Sequence, residues 1–176
     1  MATYKIDPAH TVVEFAVKHM MFSTVKGTFS KVDGQIEFDP EHPENASVVA
    51  QADVASVTTH DEGRDGHIRS ADFFDAENHP TISFRSQKVE PKGRGQEAKV
   101  IGDLTIHGVT KEVDFDAEFL GEGPDPWGGT RVGFNASTTI NRKDFGLHWN
   151  VPLEKGGLLV GDSVKITLDV EAVKQA

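Results

Sequence analysis

Hydrophobic and polar residues alternate along most of this 176-residue chain, with the period of two that is typical of β-strands. The clearest run covers residues 130–142 and places every second side chain from Val132 to Arg142 on one face. Eight such runs are separated by turn residues, and they lie at residues 13–19, 25–38, 46–57, 82–84, 100–106, 113–119, 130–142 and 164–170. The pattern predicts an all-β fold, and we expect an eight-stranded antiparallel up-and-down barrel.

A two-sheet sandwich fits the same periodicity almost as well and is the alternative to the barrel. Two local features apply to either fold. His107-Gly108 separates two runs by only two residues, which predicts a tight hairpin turn. The alternation of the second run is interrupted near residues 31–34, where we expect a β-bulge.

The connection over residues 58–80 departs from the alternation and predicts one short helix. Thr59 and Glu62 have the spacing of a capping box, and acidic residues follow in the first turn. We therefore place a helix over residues 61–69.

One face of this helix would carry His60, Arg64 and His67. The face is open to three interpretations. It covers the mouth of the barrel, with Arg64 and His67 toward an anionic head group, or it is a surface face stabilised by ion pairs. In the third, His60 and His67 bind a metal, although they lie two turns apart and no further ligand pattern is found nearby.

The charge of the chain argues against two classes of partner. There are 18 basic and 28 acidic residues, which give a formal net charge of −10. This charge repels phosphate backbones, so we expect no nucleic acid partner. It also disfavours stable docking on anionic membranes and leaves at most transient membrane contact. Cysteine is absent, which excludes disulfides and thiolate metal sites.

The N-terminal residues 1–8 do not resemble a secretory signal peptide, and no run reaches the roughly 18 apolar residues of a membrane-spanning helix. We therefore expect a cytoplasmic protein, or a periplasmic one if a leader has been removed. The length fits one domain, and we treat residues 1–176 as a single unit.

The inward faces of the predicted strands combine large apolar side chains with small ones such as Gly102, Ala117 and Ala136. Small residues between large ones serve either a packed core or a hollow channel, and the alternation alone does not separate the two. The large inward-facing residues are Phe15, Val17, Phe29, Phe38, Leu104, Ile106, Phe115, Phe134 and Ile140. Phe73 and Phe74, which follow the helix, are placed at the opening of the barrel.

Two polar residues lie at the ends of these inward-facing sets. His19 and Arg142 occupy positions where an apolar side chain is expected, and a buried arginine needs a partner. Both are candidates to hold the polar head of a ligand. In the alternative, Arg142 pairs with Asp144 or Asp65 at the barrel rim and has no ligand role.

Motifs of familiar enzyme classes do not occur in the sequence. There is no Gly-x-Ser-x-Gly elbow, no His-Glu-x-x-His pair, no phosphate-binding glycine loop and no dinucleotide fingerprint. We therefore expect a binding protein rather than an enzyme, with no cofactor and no metal.

The sequence resembles the YceI-like family of polyisoprenoid-binding proteins along nearly its whole length. The segments that carry the resemblance are residues 6–11 (IDPAHT), 15–20 (FAVKHM), 25–29 (VKGTF), 64–75 (RDGHIRSADFFD), 79–84 (HPTISF), 102–110 (GDLTIHGVT), 141–146 (NRKDFG) and 160–164 (VGDSV). Eight segments in this order and spacing are a specific signal.

The resemblance implies a lipocalin-like barrel whose interior binds a long-chain isoprenoid or a similar amphiphilic lipid, and it implies a homodimer. We assign Met20 and Phe145 to the apolar channel with the phenylalanine and aliphatic residues named above. His19, Arg64, His67 and Arg142 are assigned to the head group. The expected role is lipid carriage or storage.

Two other functions are alternatives. One is an enzyme that acts on a lipid-like substrate in the same pocket, with His19, His67 or His148 as the base. The other is a stress-related structural protein whose interior is packed.

Overall fold

The structure is a computed structural model that describes residues 1–93 and 95–176. It consists of antiparallel strands and one α-helix, α1 (Glu62–Arg69). The strands are β1 (Ala2–Ile6), β2 (Val12–His19), β3 (Ser23–Phe29), β4 (Val32–Phe38), β5 (Ser47–Asp53), β6 (Val57–Thr58), β7 (Thr81–Pro91), β8 (Glu97–Ile106), β9 (Val109–Pro124), β10 (Thr130–Asn141) and β11 (Val160–Lys174).

These eleven segments occupy eight positions around a closed barrel. The first position holds β1 and β2, the second holds β3 and β4, and the third holds β5 and β6. β7 to β11 follow as single strands, each paired with the next. Both β1 and β2 pair with β11, which closes the ring. The predicted eight-stranded barrel is confirmed, and the sandwich is wrong because the sheet has no gap between two halves.

Each of the first three positions is interrupted in the middle. The short 3-10 turn Pro8–His10 separates β1 from β2, and Val54–Ser56 separates β5 from β6. The second position breaks at Ser30–Lys31, just before the place where a bulge is predicted. There the backbone N–H of Ser30 donates to the carbonyl of Ser56, which joins two of the breaks.

The helix begins one residue later than predicted, and its cap is a different residue. The N-cap is Asp61, whose carboxylate accepts the backbone N–H of Arg64. The predicted capping box from Thr59 is wrong, because the Thr59 hydroxyl donates to the carboxylate of Asp65 instead.

The predicted turn at His107-Gly108 is confirmed as the connection between β8 and β9. Both residues have positive φ, 55° and 73°, as the type I′ hairpin requires. Gly108 is also needed for space, since a Cβ there would lie 2.8 Å from Cε1 of His79.

Three clusters of buried hydrophobic residues lie along the barrel wall, and partly buried residues such as Val32 and Phe74 link them. One lies at the barrel end near the chain termini around Tyr4 and Val132, a second contains Leu104 and Phe145, and a third surrounds Phe29. Their side chains line the wall of the barrel and leave a cavity inside it, which is described next.

Candidate functional site

The barrel encloses a cavity of about 710 Å³ whose wall is almost entirely apolar. The alternation of the strands produces this wall, because every second side chain points inward. Ten of the thirteen residues predicted to form the channel line the cavity: Phe15, Val17, Phe38, Phe73, Phe74, Leu104, Ile106, Phe115, Phe134 and Ile140. A volume of this size lies in the range of small-molecule sites in proteins.

The other three predicted channel residues lie outside the cavity wall. Phe29 and Phe145 are buried at 6% and 1% exposure and pack behind the lining residues. Met20 lies in the turn between β2 and β3 and is 39% exposed. Their assignment to the channel is corrected: two of them support the wall, and one lies on the surface.

A cluster of aromatic side chains lies at one end of the cavity. Phe38, Phe119 and Phe134 form a three-way contact, with ring centroids 4.9 to 5.7 Å apart. Tyr4 and Val132 pack in the same cluster and are each 1% exposed.

The opposite end, which we call the mouth, is bordered by helix α1 and the loop over residues 147–159. His67, Phe73 and Trp149 meet there as a second aromatic group, with centroids 4.5 to 5.3 Å apart, and all three line the cavity. The Nε2 atom of His67 lies 2.9 Å from a carboxylate oxygen of Asp72, so that partner orients the ring.

Arg64 and His19 are both found at the mouth. Both are exposed residues that line the cavity. The guanidinium of Arg64 donates from Nε to the hydroxyl of Thr59 and from Nη2 to its carbonyl oxygen, which fixes its direction. Lys18 also lines the cavity, so the polar groups at this end are mostly cationic.

Asp65 holds the start of helix α1 against the barrel. It is 7% exposed and accepts the backbone N–H and the hydroxyl of Thr59 at 2.7 and 2.6 Å. Burial tends to raise the pKa of this carboxyl, but the Thr59 hydrogen bonds outweigh it and the pKa is lowered. Through Thr59, the same carboxylate also supports Arg64.

Arg142 lines the cavity as predicted, but most of its guanidinium donors are engaged by backbone carbonyls. Strand β10 ends at Asn141, and Arg142 begins a 3-10 turn, so the pleat no longer sets its direction. Its Nε and Nη atoms donate to the carbonyl oxygens of four residues, Gly161, Leu147, Trp149 and Val160. The carboxylate closest to it is Asp162 at 3.9 Å rather than the expected Asp144 or Asp65. Arg142 therefore anchors the loop that borders the mouth.

The proposed metal pair of His60 and His67 is not brought together as a site. His60 lies outside the helix with φ 64°, and His67 is engaged by Asp72. In residues 1–93 and 95–176, neither histidine belongs to a group of three or more potential metal ligands.

Trp149 is the principal site residue that the sequence pattern did not identify. It lies in an irregular segment with no periodicity. A hydrogen bond from the Arg142 guanidinium to its carbonyl oxygen holds this segment at the mouth. Its neighbours in this loop, Leu147 and Leu159, also line the cavity. Within the part of the chain that the structure describes, no helix has the length and apolar character needed to cross a membrane.

A family model described as the YceI-like domain matches residues 4–172 of the chain. A UPF0312 protein of Pseudomonas putida is 42% identical over 176 residues, which cover 99% of this chain and 88% of that protein. A UPF0312 protein of Vibrio cholerae is 47% identical over 148 residues, covering 83% of this chain and 78% of the relative.

Solved structures share the barrel. BcnA of Burkholderia cenocepacia superposes with a TM-score of 0.81 at 27% identity, covering 94% of this chain and 98% of BcnA. A Campylobacter jejuni YCEI protein gives a TM-score of 0.76 at 31% identity, covering 90% of each chain. A polyisoprenoid binding domain from Saccharophagus degradans, implicated in plant cell wall breakdown, gives 0.73 at 14% identity and covers 99% of this chain and 100% of that domain. At that identity, the last match is a likeness of fold.

Proposed function

Because the chain belongs to the YceI-like family, we propose that its barrel binds a long-chain polyisoprenoid or a similar amphiphilic lipid and acts in lipid carriage or storage. The observation that carries this proposal is the 710 Å³ apolar cavity, whose mouth is lined by the cationic side chains of Arg64 and Lys18. The polyisoprenoid binding domain of the same fold supports the choice of ligand class.

The energetics favour carriage over irreversible capture. Burying an isoprenoid away from water is favourable by about 0.8 kcal/mol per carbon. A membrane offers the same apolar environment, so transfer from membrane to barrel changes the hydrophobic free energy little. Selectivity then depends on the shape of the cavity and on the head group.

The head group binds at the mouth in this proposal. Arg64 has guanidinium N–H groups beyond the two that Thr59 accepts, and His19 and Lys18 line the same cavity. Charge-assisted hydrogen bonds to a phosphate or carbonyl head contribute about 1.5–3 kcal/mol each. We assign Arg142 no part in this contact, because backbone carbonyls accept four hydrogen bonds from its guanidinium.

We further propose that the turn between β2 and β3 contacts the membrane from which the lipid is taken. Met21 and Phe22 at this turn are 63% and 85% exposed. The backbone N–H of Met20 donates to the carbonyl of Leu159, a residue of the cavity wall, so the turn adjoins the mouth.

The backbone of this turn is itself unusual. Met20 and Met21 have φ of 52° and 66°, a region that costs an L-residue about 1–2 kcal/mol and that Asn-Gly adopts readily in such turns. Two large apolar residues held there at a cost indicate a function for the exposed side chains.

The charge around the turn complements an anionic bilayer. Residues 15–26, which include the turn and the strand segments beside it, contain Lys18 and Lys26 but none of the 28 acidic residues of the chain. The net charge of −10 opposes prolonged residence at the same surface. Local attraction and overall repulsion together fit a brief contact.

Native mass spectrometry of gently purified protein, with extraction and identification of the bound species, tests the lipid. The proposal expects a retained isoprenoid-type lipid. Conversion of added lipid would instead support the enzyme alternative, and an empty protein that takes up no lipid would support the structural one.

A blocking variant tests the cavity itself. Ala136 and Ala117 are cross-strand neighbours that both line the cavity, so Ala136→Trp should abolish lipid uptake in a folded barrel. The matched control is Trp placed at exposed Val49, outside the cavity wall. Gly102→Leu is unsuitable, because a Cβ there would lie 2.4 Å from the carbonyl oxygen of Arg85. Normal uptake by Ala136→Trp would place the site elsewhere.

Vesicle flotation tests the membrane contact. Phe22→Ser should reduce binding to vesicles of phosphatidylcholine with phosphatidylglycerol about tenfold, since burying one phenylalanine is worth about 1.5–3 kcal/mol. Trp127→Ser is the control, because Trp127 is 78% exposed in the β9–β10 connection at the other end of the barrel. Equal losses in both variants, or none in either, would overturn the proposed contact.

A further inference from the structure

We propose that Asp75, His79 and His107 form a binding site for a divalent transition metal of the zinc class, separate from the lipid cavity. The three side chains are half-buried, and one potential ligand atom of each lies within 4.8 Å of the others. The two imidazole rings meet edge to face with centroids 4.8 Å apart.

Local backbone structure brings the three side chains together. The carbonyl of Asp75 accepts the backbone N–H of Asn78 and of His79, so residues 75–79 form a single turn that places Asp75 and His79 on the same side. His107 comes from the β8–β9 turn, whose Gly108 packs under the ring of His79. Asp75 and His107 have φ of 50° and 55°, a conformation that non-glycine residues rarely adopt.

The imidazoles are available as ligands. Neither ring has a hydrogen-bond partner within residues 1–93 and 95–176, although the ring nitrogens of a half-buried histidine usually find one. The carboxylate of Asp75 accepts one hydrogen bond, from the side-chain amide of Asn78 at 2.9 Å, and retains further lone pairs. Such a hydrogen bond from a neighbour orients a ligating carboxylate.

In a second cluster of similar composition, the potential ligand atoms are already engaged by other side chains. Asp7, His10 and Glu171 also converge, but the guanidinium of Arg131 lies 2.7 Å from Asp7 and 2.8 Å from Glu171. A cation is already present there, and His10 lies within 2.8 Å of Asp7. No Lys or Arg forms an ion pair with Asp75 in the described part of the chain.

The donor set selects the class of metal. Two imidazole nitrogens and one carboxylate oxygen are the three protein ligands of four-coordinate zinc sites whose fourth ligand is water. Mg²⁺ and Ca²⁺ prefer oxygen ligands and should bind poorly.

A metal at this position would join two segments of the cavity wall. Asp75 follows Phe74, and His107 follows Ile106, and both of these neighbours line the cavity. Coordination would therefore fasten the loop after helix α1 to the β8–β9 turn. The loop carries Phe73 to the mouth, so metal binding should also stabilise that end of the barrel.

Isothermal titration of the metal-free protein with ZnCl2, in excess Mg²⁺ to suppress binding to surface carboxylates, tests the site. We expect one Zn²⁺ per chain. His107→Asn should weaken the Zn²⁺ affinity at least tenfold, and His79→Asn should do the same. The first variant replaces the turn residues with Asn-Gly, the sequence that favours a type I′ turn, so it removes the ligand without disrupting the fold.

The matched control is His10→Asn, which alters the cluster that Arg131 occupies and should leave Zn²⁺ affinity unchanged. A Zn²⁺-dependent rise in Tm that is present in the wild type and in His10→Asn, and absent in His107→Asn, would support the site independently. The proposal is overturned if the wild type takes up no Zn²⁺ in excess Mg²⁺, or if the two ligand variants bind as tightly as the wild type. If only His10→Asn lost Zn²⁺ binding, the metal would belong to the cluster of Asp7, His10 and Glu171, and the proposal would be overturned as well.

Discussion

Arg142 is buried at 3% exposure, and backbone carbonyls rather than a carboxylate satisfy most of its donors. Burial lowers its pKa, and the charge of Asp162 opposes that effect. The period of the strand correctly indicates that the residue points away from solvent. It cannot indicate the partners, because these belong to a loop that has no periodicity of its own.

We predict that Arg142→Met destabilises the protein by about 2–4 kcal/mol, because several buried carbonyls lose their donor. Urea denaturation measures the change. Lys143→Met is the control, since Lys143 is 42% exposed and lies near the same Asp162. If Arg142→Met kept full stability and weakened only ligand binding, the residue would face the ligand after all.

The pairing of Asp7 predicts a pH dependence. Hydrogen bonds from His10 and then from Arg131 lower the pKa of Asp7 to about 2. Because the folded pKa lies below the unfolded value near 3.9, this carboxylate contributes stability above about pH 4 and loses it as the pH falls toward 2. Urea midpoints of the wild type and Asp7→Asn should therefore differ most above pH 4 and converge toward pH 2. A constant difference across that interval would contradict the assignment.

At the scale of elements, helix α1 supplies the side chain that we expect to set the affinity of the mouth for a charged head group. We predict that Arg64→Met weakens binding of a prenyl phosphate about tenfold and leaves a hydrocarbon of equal length unaffected. Fluorescence competition with the two ligands measures both affinities. Arg69→Met is the control, because Arg69 is on the same helix but outside the cavity wall. Equal losses for both ligands would mean that Arg64 only supports the fold.

The regular elements follow from local sequence, and their irregular joins do not. The period of two and the His107-Gly108 turn depend on near neighbours, and both predictions are confirmed. The predicted helix cap is wrong because the Thr59 hydroxyl, which would accept a backbone N–H as an N-cap, instead donates to the buried Asp65, a partner that local sequence does not identify. The sequence does not predict strand β1, because its five residues, which end before Pro8, give too short a pattern.

At the scale of the whole molecule, the sequence could not separate a packed interior from a hollow one. Both use the same alternating residues, and the difference lies in whether side chains from opposite walls meet. Here Phe15 packs over Gly27 and Phe84 against Phe115, which holds these rings along the wall. Closure of the ring through β1 and β11 also joins the two ends of the chain, a relation no local pattern contains.

Family resemblance predicts a homodimer, and the net charge predicts how its stability depends on salt. Two chains of −10 repel one another at low ionic strength. Raising the salt from about 0.01 M to about 0.15 M shortens the Debye length from about 30 to about 8 Å, so association should strengthen. Sedimentation at micromolar concentration should give about twice the 19.2 kDa of one chain at the higher salt. A single species of 19.2 kDa under both conditions would reject the dimer.

The same experiment on Phe22→Ser locates the dimer interface relative to the membrane-contacting turn. If that turn faces the membrane, the exposed Phe22 lies outside the interface and the variant should sediment as the wild type does. Its binding to anionic vesicles should nevertheless fall, because the variant loses apolar surface only at the turn. A variant that becomes monomeric would show instead that two copies of the chain cover these side chains, and the membrane contact would have to involve another surface.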